Sequence, residues 1–413
     1  MPGYDMTRES FVPQPKKASK NMQFLKNSNR SAVLCALALK KASNRTELAS
    51  YLNLTRMAIS NIVNELRDHA IILEVSSAEN ESESEHGPNG RPPKQLTLAD
   101  WSITVICINI RRYSVSCMLM DINGNTRPPV TRCLPAHADN AFLMDTIIQL
   151  IEEVQQAFPQ VPIIGIGVSS IGPLDIYQKH LLNPPDFRNI RNVDIGAPLE
   201  ARFHLPVYLD NDMNCSALAE LYFGAGISCR DLVFLGFSAG VGAGVIMNEK
   251  ILHGFGGFAG EVGHISINPI GPPCPCGQNG CIELYTRGEN ILANAGVVSF
   301  EELNALLEQK NPPRFVLNSI KQYIDAMHTL MVAVANSYDP NIMILGDIDI
   351  AFINRFLPDL EEYMNSHMLN HGYKHIKVIP SALAEAASLY GAGSIVLQRV
   401  FEGELPLPIP AGG

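Results

Sequence analysis

Residues 260–283 read GEVGHISINPIGPPCPCGQNGCIE. One histidine and three cysteines, His264, Cys274, Cys276 and Cys281, stand at the spacing His-x9-Cys-x-Cys-x4-Cys. They supply the four soft or borderline ligands of a closed tetrahedral zinc site. With no position left for water, one Zn2+ per chain would be structural. The Gly and Pro residues between the cysteines let the loop fold back around an ion, so metal binding would order a segment with little core of its own. A disulfide between Cys276 and Cys281, or unrelated thiols, are the competing readings. Nine cysteines, an odd count, in a chain expected in the cytosol weigh against a disulfide framework.

On both sides of this stretch the pattern is α/β. Residues 103–110 and 114–120 read as two buried strands ending in a turn, 141–155 as a helix, and 161–168 as the next strand. Further strands are expected at 207–209, 232–236 and 342–346, with Gly-rich turns at strand ends, where ligands collect in such folds. A length of 413 residues predicts two to four domains. The composition, 46% hydrophobic and 17% charged with 31 Gly, excludes global disorder, collagen and coiled-coil arrays. No run approaches the ~20 apolar residues of a membrane span. Residues 1–26 lack the apolar core of a signal peptide, so the expected location is the cytoplasm, with no membrane partner.

Charge divides the chain unevenly. Residues 1–70 hold 11 Lys+Arg against 5 Asp+Glu, a charge of +6, which leaves −16 of the total −10 for the remainder. A basic head on an acidic body suggests a nucleic-acid-binding module joined to something else. In the head, apolar spacing from Ser31 predicts one helix, residues 46–52 a second, and Thr55 caps a third from Arg56 to about His69. Ile59, Ile62, Val63 and Leu66 form its apolar face, leaving Arg56, Ala58, Ser60, Asn61 and Asn64 largely on the other side. A short helix, a tight turn and a helix with small, polar and basic residues at its N-terminal end suit the DNA major groove. Thr55, Arg56, Ser60, Asn61 and Asn64 are the candidate DNA contacts. Two β-like segments, 71–75 and 94–98, would complete a winged helix-turn-helix. The stretch 76–93 between them is acidic enough to read as a solvated loop. Arg91, in Gly90-Arg91-Pro92-Pro93, suits a narrow minor groove, although a rigid hinge explains the same residues. A small helical interaction domain is the alternative for the whole head.

Residues 261–264 with the cysteine cluster resemble the signature of the ROK group (repressors, open reading frames and sugar kinases). Three more stretches match it: Leu209-Asp210-Asn211-Asp212-Met213-Asn214 is similar to its substrate motif, Gly240-Val241-Gly242-Ala243-Gly244 to its phosphate loop, and residues 384–392 to its C-terminal helix. The head, from Asn44 to Pro93, resembles the winged helix of the repressor branch, which includes xylose and N-acetylglucosamine repressors. The resemblance implies an α/β fold: a winged helix-turn-helix followed by a two-lobed actin-like, hexokinase-like ATPase core. Residues 1–99 would be the DNA-binding domain with an N-terminal extension. Residues 100–210 plus about 385–413 would form a small lobe, and 211–384 a large lobe carrying the zinc motif.

By position, the resemblance makes Asn211, Asp212, Glu261, His264 and Glu283 sugar-binding residues. Carboxylates and an amide can each take a pair of adjacent hydroxyls and reject analogues lacking them. His264 would use one ring nitrogen for zinc and the other for a sugar hydroxyl. Asp212 matches the general base of the kinases. The nucleotide side departs from the pattern: where the kinases have Asp-x-Gly-Gly-Thr, this chain has Asn109-Ile110-Arg111-Arg112-Tyr113. Their Gly-Thr-Gly becomes Ser238-Ala239-Gly240, and their Gly-Gly becomes Gly346-Asp347. Bulky side chains would fill the phosphate path, and the Asp347 carboxylate would oppose a phosphate or crowd the base. The expected protein is thus a sugar-responsive transcriptional regulator, a repressor of carbohydrate uptake or catabolism genes, with Asp212 a vestigial base and no catalysis. Its expected partners are a double-stranded DNA operator, a sugar or sugar-phosphate effector and a second copy or copies of itself, as a homodimer or homotetramer. A transport-system protein is a further candidate partner. The alternative is an active hexose or N-acylhexosamine kinase with an appended DNA-binding domain.

Overall fold

The computed structural model describes residues 22–75, 94–185, 187–237 and 240–407. The segment 76–93, and Arg91 with it, lies outside them, as do Ser238 and Ala239. The described residues open with three helices, α1 (Met22–Ala38), α2 (Arg45–Tyr51) and α3 (Arg56–Asp68), and a two-stranded antiparallel ribbon, β1 (Ile72–Val75) with β2 (Gln95–Leu98). Local chemistry sets the helix starts. Asn44 Oδ1 accepts from the Thr46 and Glu47 amides, both at 3.0 Å, and Thr55 Oγ1 accepts from the Ala58 amide at 3.2 Å. Asn53, at φ 52°, makes the sharp turn between α2 and α3, a left-handed conformation that Asn tolerates better than most side chains. Val33, Leu34, Leu48, Ile59, Val63, Leu66 and Ile72 form a fully buried core in this head.

The body holds two five-stranded sheets that repeat one topology. The first comprises β3 (Thr104–Arg111), β4 (Ser114–Asp121), β5 (Val130–Cys133), β6 (Ile163–Ser170) and, after three two-residue strands, β7 (Leu174–Asp175), β8 (His180–Leu181) and β9 (Val193–Asp194), β10 (Val207–Asn211). Helix α4 (Asn140–Ala157) precedes β6, and α5 (Gly196–Phe203) precedes β10. After α6 (Asp212–Phe223) come β11 (Leu232–Phe237), β12 (Val241–Met247) and β13 (Lys250–Ile251). Helices α7 (Glu283–Thr286), α8 (Gly288–Asn294), α9 (Phe300–Leu307) and α10 (Arg314–Tyr338) lead to β14 (Ile342–Gly346). Then follow α11 (Ile350–Asn354), α12 (Leu357–His367), β15 (Lys377–Pro380) and α13 (Ala387–Phe401). The orders are β10-β6-β3-β4-β5 and β13-β12-β11-β14-β15. In each, a three-strand antiparallel meander is followed by two strands parallel to its first strand.

Helices α13 and α6 lie between the sheets, α13 on β3 and β6, α6 on β11 and β12, and against each other. Sandwiched in this way, α6 is buried on every face from Met213 to Tyr222, as its apolar composition without a polar stripe allows. Outside, α4 and α5 cover the first sheet and α10 and α12 the second. Helix α1 packs on α13, and the apolar residues of the head join the inter-sheet core in one cluster.

One expectation is corrected here. Residues 241–244, taken as a phosphate loop, belong to strand β12, paired antiparallel with β11 from Val241↔Phe237 to Ile246↔Leu232. The glycines answer to packing: a Cβ on Gly244 would fall 2.0 Å from the Met213 carbonyl oxygen, where α6 crosses the strand.

Candidate functional site

The loop after β13 returns to the strand it left. Gly260, at φ +93°, passes so close to β12 that a Cβ would lie 2.1 Å from the Ala243 oxygen, and its carbonyl accepts from the Ala243 amide at 2.8 Å. A short 3-10 turn, Val262–His264, then presents His264 to the cysteine knuckle. The knuckle is a tight hairpin. Bridges pair Pro273 with Asn279 and Ser266 with Cys281, and the Cys274 amide donates to the Gln278 oxygen at 2.8 Å.

The metal-ligand set converges. One ligand atom from each of His264, Cys274, Cys276 and Cys281 lies within 4.8 Å of all the others. His264 Nδ1 is 3.7 Å from Cys274 Sγ, and Cys276 Sγ is 3.5 Å from Cys281 Sγ. A tetrahedron with bonds of ~2.0–2.3 Å has edges of roughly 3.3–3.8 Å, so these spacings suit one ion. They are far beyond the ~2.05 Å of a disulfide, and the nine cysteines are all free thiols.

The five residues matched to sugar binding gather beside this centre. Asn211 ends β10 and caps α6, its Oδ1 accepting from the Met213 amide at 2.9 Å. Asp212 opens α6 and accepts from the same amide at 3.0 Å. Glu283 opens α7, buried, with Oε2 accepting from the Val241 amide at 3.3 Å. Glu261 sits between Gly260 and the turn that carries His264. The carboxylates of these residues act on one another electrostatically. Asp212 is pushed up to about 7 by burial and then by the Asp347 charge, with Glu261 adding and the Met213 amide and Arg111 opposing. Glu261, which keeps an open face, is raised by the protein mass around it and by Glu283, with His264 opposing.

Of the residues read as departures from the kinase nucleotide motifs, Arg111 and Asp347 are joined to each other. Arg111, at the end of β3, reaches across to the second sheet. Its Nη2 is 3.2 Å from Asp347 Oδ1 and donates to the Glu385 oxygen at 2.8 Å. Ser388 Oγ, at the start of α13, is 3.4 Å from the same nitrogen and 2.8 Å from Asn109 Nδ2. Asp347 leaves β14 at φ 52°, and burial raises its pKa, with Glu385 adding and Arg111 opposing. Its carboxylate is paired with Arg111.

In the head, Thr55, Arg56 and Asn61 are exposed at the N-terminal half of α3, and Ser60 is half-buried. Asn64 differs from the other candidate DNA contacts. Its Oδ1 accepts from Arg45 Nη2 at 2.8 Å, and Arg45 also pairs with Glu74 of β1. Asn64 thus helps an Arg45-centred network join α2, α3 and the ribbon. The sequence offered no signal for this network, because its members are 19 and 29 residues apart. Met57, 76% exposed beside Arg56, is a further apolar group on that face.

A two-sheet body with Asn211, Asp212, Glu261 and Glu283 near a centre of one histidine and three cysteines, preceded by a three-helix head and ribbon, defines a class. Residues 105–399 match the ROK family model, and the chain belongs to the ROK family. Among curated relatives, the xylose repressor of Bacillus subtilis (strain 168) is 24% identical over 92% of this chain and 97% of its own. The DNA-binding transcriptional dual regulator NagC of Escherichia coli (strain K12) is 25% identical over 93% and 96%. Among solved structures, a ROK family transcriptional regulator, a homologue of the E. coli MLC protein, superposes with a TM-score of 0.77 at 22% identity, covering 92% of this chain and 98% of that one. A ROK family glucokinase from Streptomyces griseus, in complex with glucose and AMPPNP, gives 0.60 at 21% identity over 71% and 98%. The kinase likeness covers a smaller share of the chain than the regulator likeness does.

Proposed function

We propose that this chain is a sugar-responsive DNA-binding transcriptional repressor of carbohydrate genes, in which a kinase-derived body has become a sensor. The observation that carries the reading is the contrast between the two sides of one cleft. On the sugar side, Asn211, Asp212, Glu261, His264 and Glu283 stand together, while on the nucleotide side Arg111 and Asp347 are bound to each other. Phosphoryl transfer needs triphosphate and metal cradled by backbone amides and glycine turns. An ion pair across that path serves neither.

In this reading, residues 1–99 form a winged helix-turn-helix, with Thr55, Arg56, Ser60 and Asn61 meeting operator DNA and Arg91 on the wing. The small lobe (100–210 plus about 385–413) and the large lobe (211–384) clasp a sugar or sugar phosphate. His264, Cys274, Cys276 and Cys281 would hold one structural Zn2+, which supplies a fixed four-ligand node for the loop. Nδ1 of His264 turned to the ion leaves Nε2 for a sugar hydroxyl, so the metal would orient a sugar contact. Sugar binding that favours one lobe angle would shift the spacing of two heads held in a homodimer or homotetramer, so that they fit or miss half-sites about one DNA turn apart. Among the described residues no helix is long and apolar enough to cross a membrane; the proposed DNA-binding role would put the protein in the cytoplasm.

Asp212 favours a second reading. A carboxylate with a pKa of about 7 is well matched to general-base work at neutral pH, as an active hexose or N-acylhexosamine kinase requires. A coupled ATP-consumption assay on zinc-loaded protein, against hexoses, N-acetylhexosamines and their 6-phosphates, with binding followed in the same samples, separates the two. Binding without turnover is the expected result. Turnover well above background would make the chain a kinase with a DNA-binding head.

A further inference from the structure

The two halves of the sugar cleft hang from different sheets: Asn211 and Asp212 from β10, Glu261 and His264 from the loop after β13. One hydrogen bond joins their roots. His253 Nε2 is 2.7 Å from Asp210 Oδ2, across 43 residues of sequence. Asp210 immediately precedes Asn211. Its side chain is 7% exposed, and its other oxygen, Oδ1, accepts from the Asn211 amide at 2.8 Å and from Asn214 Nδ2 at 2.9 Å. A carboxylate this buried is costly unless its lone pairs are filled, and His253 is the partner that comes from the other sheet. His253 opens the loop that ends at Gly260 and Glu261, and its carbonyl accepts from the Ala259 amide at 3.2 Å, closing that loop at its base. The bond therefore spans from the residue before one half-site to the first residue of the segment that delivers the other.

Its surroundings allow it to act as a tie. His253 and Asp210 line a cavity of about 110 Å3 together with Ile176, Tyr177, Gln398 and Arg399, so the contact borders open space. The loop also passes near the first half of the body at Gly257, where a Cβ, had the residue one, would reach Ile176 Cδ1 at 3.5 Å.

We propose that the hydrogen bond from His253 to Asp210 sets the separation of the two sugar-binding half-sites, making His253 a positioning residue for the effector. This rests on the sugar-sensing reading. A polyol bridging Asn211 and Asp212 on one side and Glu261 and Glu283 on the other needs both sets at once, and an error near 1 Å in their spacing disables hydrogen bonds that tolerate only a few tenths.

The test compares His253→Gln and His253→Met, side chains of similar length of which only glutamine can donate to Asp210. The full-length, zinc-loaded protein is titrated calorimetrically with D-xylose, D-glucose, N-acetylglucosamine and N-acetylglucosamine 6-phosphate. Zinc content and sugar-free operator affinity are measured alongside. Against whichever probe the wild type binds, His253→Met is expected to lose at least tenfold in affinity and His253→Gln to stay within threefold, with zinc and operator affinity unchanged in both. Equal affinities for the Met and Gln variants overturn the tie while leaving the sensor intact. A wild type that binds none of the four overturns the sensing reading and the tie with it. Should His253→Met fail to fold, hydrogen exchange on the wild type decides. With the bound probe, protection of residues 207–214 and 250–264 rises with one common midpoint if the two half-sites are tied. Separate midpoints refute the tie.

Discussion

Replacing Arg111 by Ala removes the guanidinium that neutralises Asp347 and leaves that carboxylate, 9% exposed, without its cation. Breaking a fully buried pair from one side costs about 3–5 kcal/mol. Arg111 is itself 39% exposed, and screening on that side brings the expected loss to about 1–3 kcal/mol at pH 8. The pH dependence has a definite sign. The Asp347 pKa is already raised by burial, and losing Arg111 raises it further. A carboxyl whose pKa is higher in the folded than in the unfolded chain favours folding at low pH, and that advantage disappears as pH rises through the folded value. Arg111→Ala should therefore be destabilised less, relative to wild type, at pH 5 than at pH 8. Calorimetric melting of the zinc-loaded protein reads this as a drop of about 2–4 °C per kcal/mol for a unit of 150–250 residues. The double variant Arg111→Ala/Asp347→Asn should recover most of the loss, since the Asp347 charge that Arg111 offsets is then gone as well. A destabilisation that is the same at both pH values, or one the second substitution leaves untouched, would refute the pair as an electrostatic closure of the cleft.

Three further outcomes are expected. Cys276→Ser or Cys281→Ser should release about one zinc per chain and lower the melting temperature; unchanged metal content by atomic absorption would remove the zinc site. Arg56→Ala should weaken operator binding and reduce the slope of log affinity against log salt by about 1, whereas a defect in folding alone would leave that slope as it is. Asp212→Asn should abolish the sugar response and leave sugar-free DNA binding intact. Because Asp212 is raised from 3.8 to about 7, the wild type should also lose stability relative to this variant as pH climbs from about 4 to 8, which urea melts at the two ends would show.

What the sequence made legible is what short-range chemistry determines. Asn44 and Thr55 announce helix starts because a capping oxygen acts on amides two or three residues away. The apolar runs at 103–110, 161–168 and 342–346 announce buried strands, and the spacing of His264 and the three cysteines announces its own convergence because one knuckle carries three of the four ligands. Long-range features were hidden. Nothing in residues 104–211 and 232–380 reads alike letter by letter, yet both build the same strand order, since topology constrains where apolar runs fall and not which residues fill them. Residues 240–244 resemble a phosphate loop, whereas 241–244 lie in β12, which needs Gly244 so that α6 can lie on it. The partnerships of Asn64 with Arg45, Asp347 with Arg111 and Asp210 with His253 have no sequence signature, because each forms only after separate elements have docked.

Those late-forming contacts are also where a sensor differs from an enzyme built on the same frame. A sugar can move the heads only by binding two arrangements of the body with different affinity; a coupling of about 1–3 kcal/mol, or about 5–150-fold, is the usual scale. The elements that could register the difference are contiguous. Asp212 opens α6, α6 packs along α13, and α13 carries α1 of the head on its far side. Glu220 fastens the other end of α6 to the segment before α13, its Oε1 accepting from Ser381 Oγ at 2.5 Å and from the Leu383 amide at 3.0 Å. Adjacency alone does not make a route. It becomes one where a contact exists in one arrangement and not in the other; the Arg111–Asp347 pair, which spans the two sheets, would serve in that way if a bound sugar changes their relative angle. An active kinase must open and close around a nucleotide at every turnover, and fixed bonds there would oppose it. A repressor has to hold one arrangement until its sugar arrives, and for that a few breakable bonds across the cleft suffice.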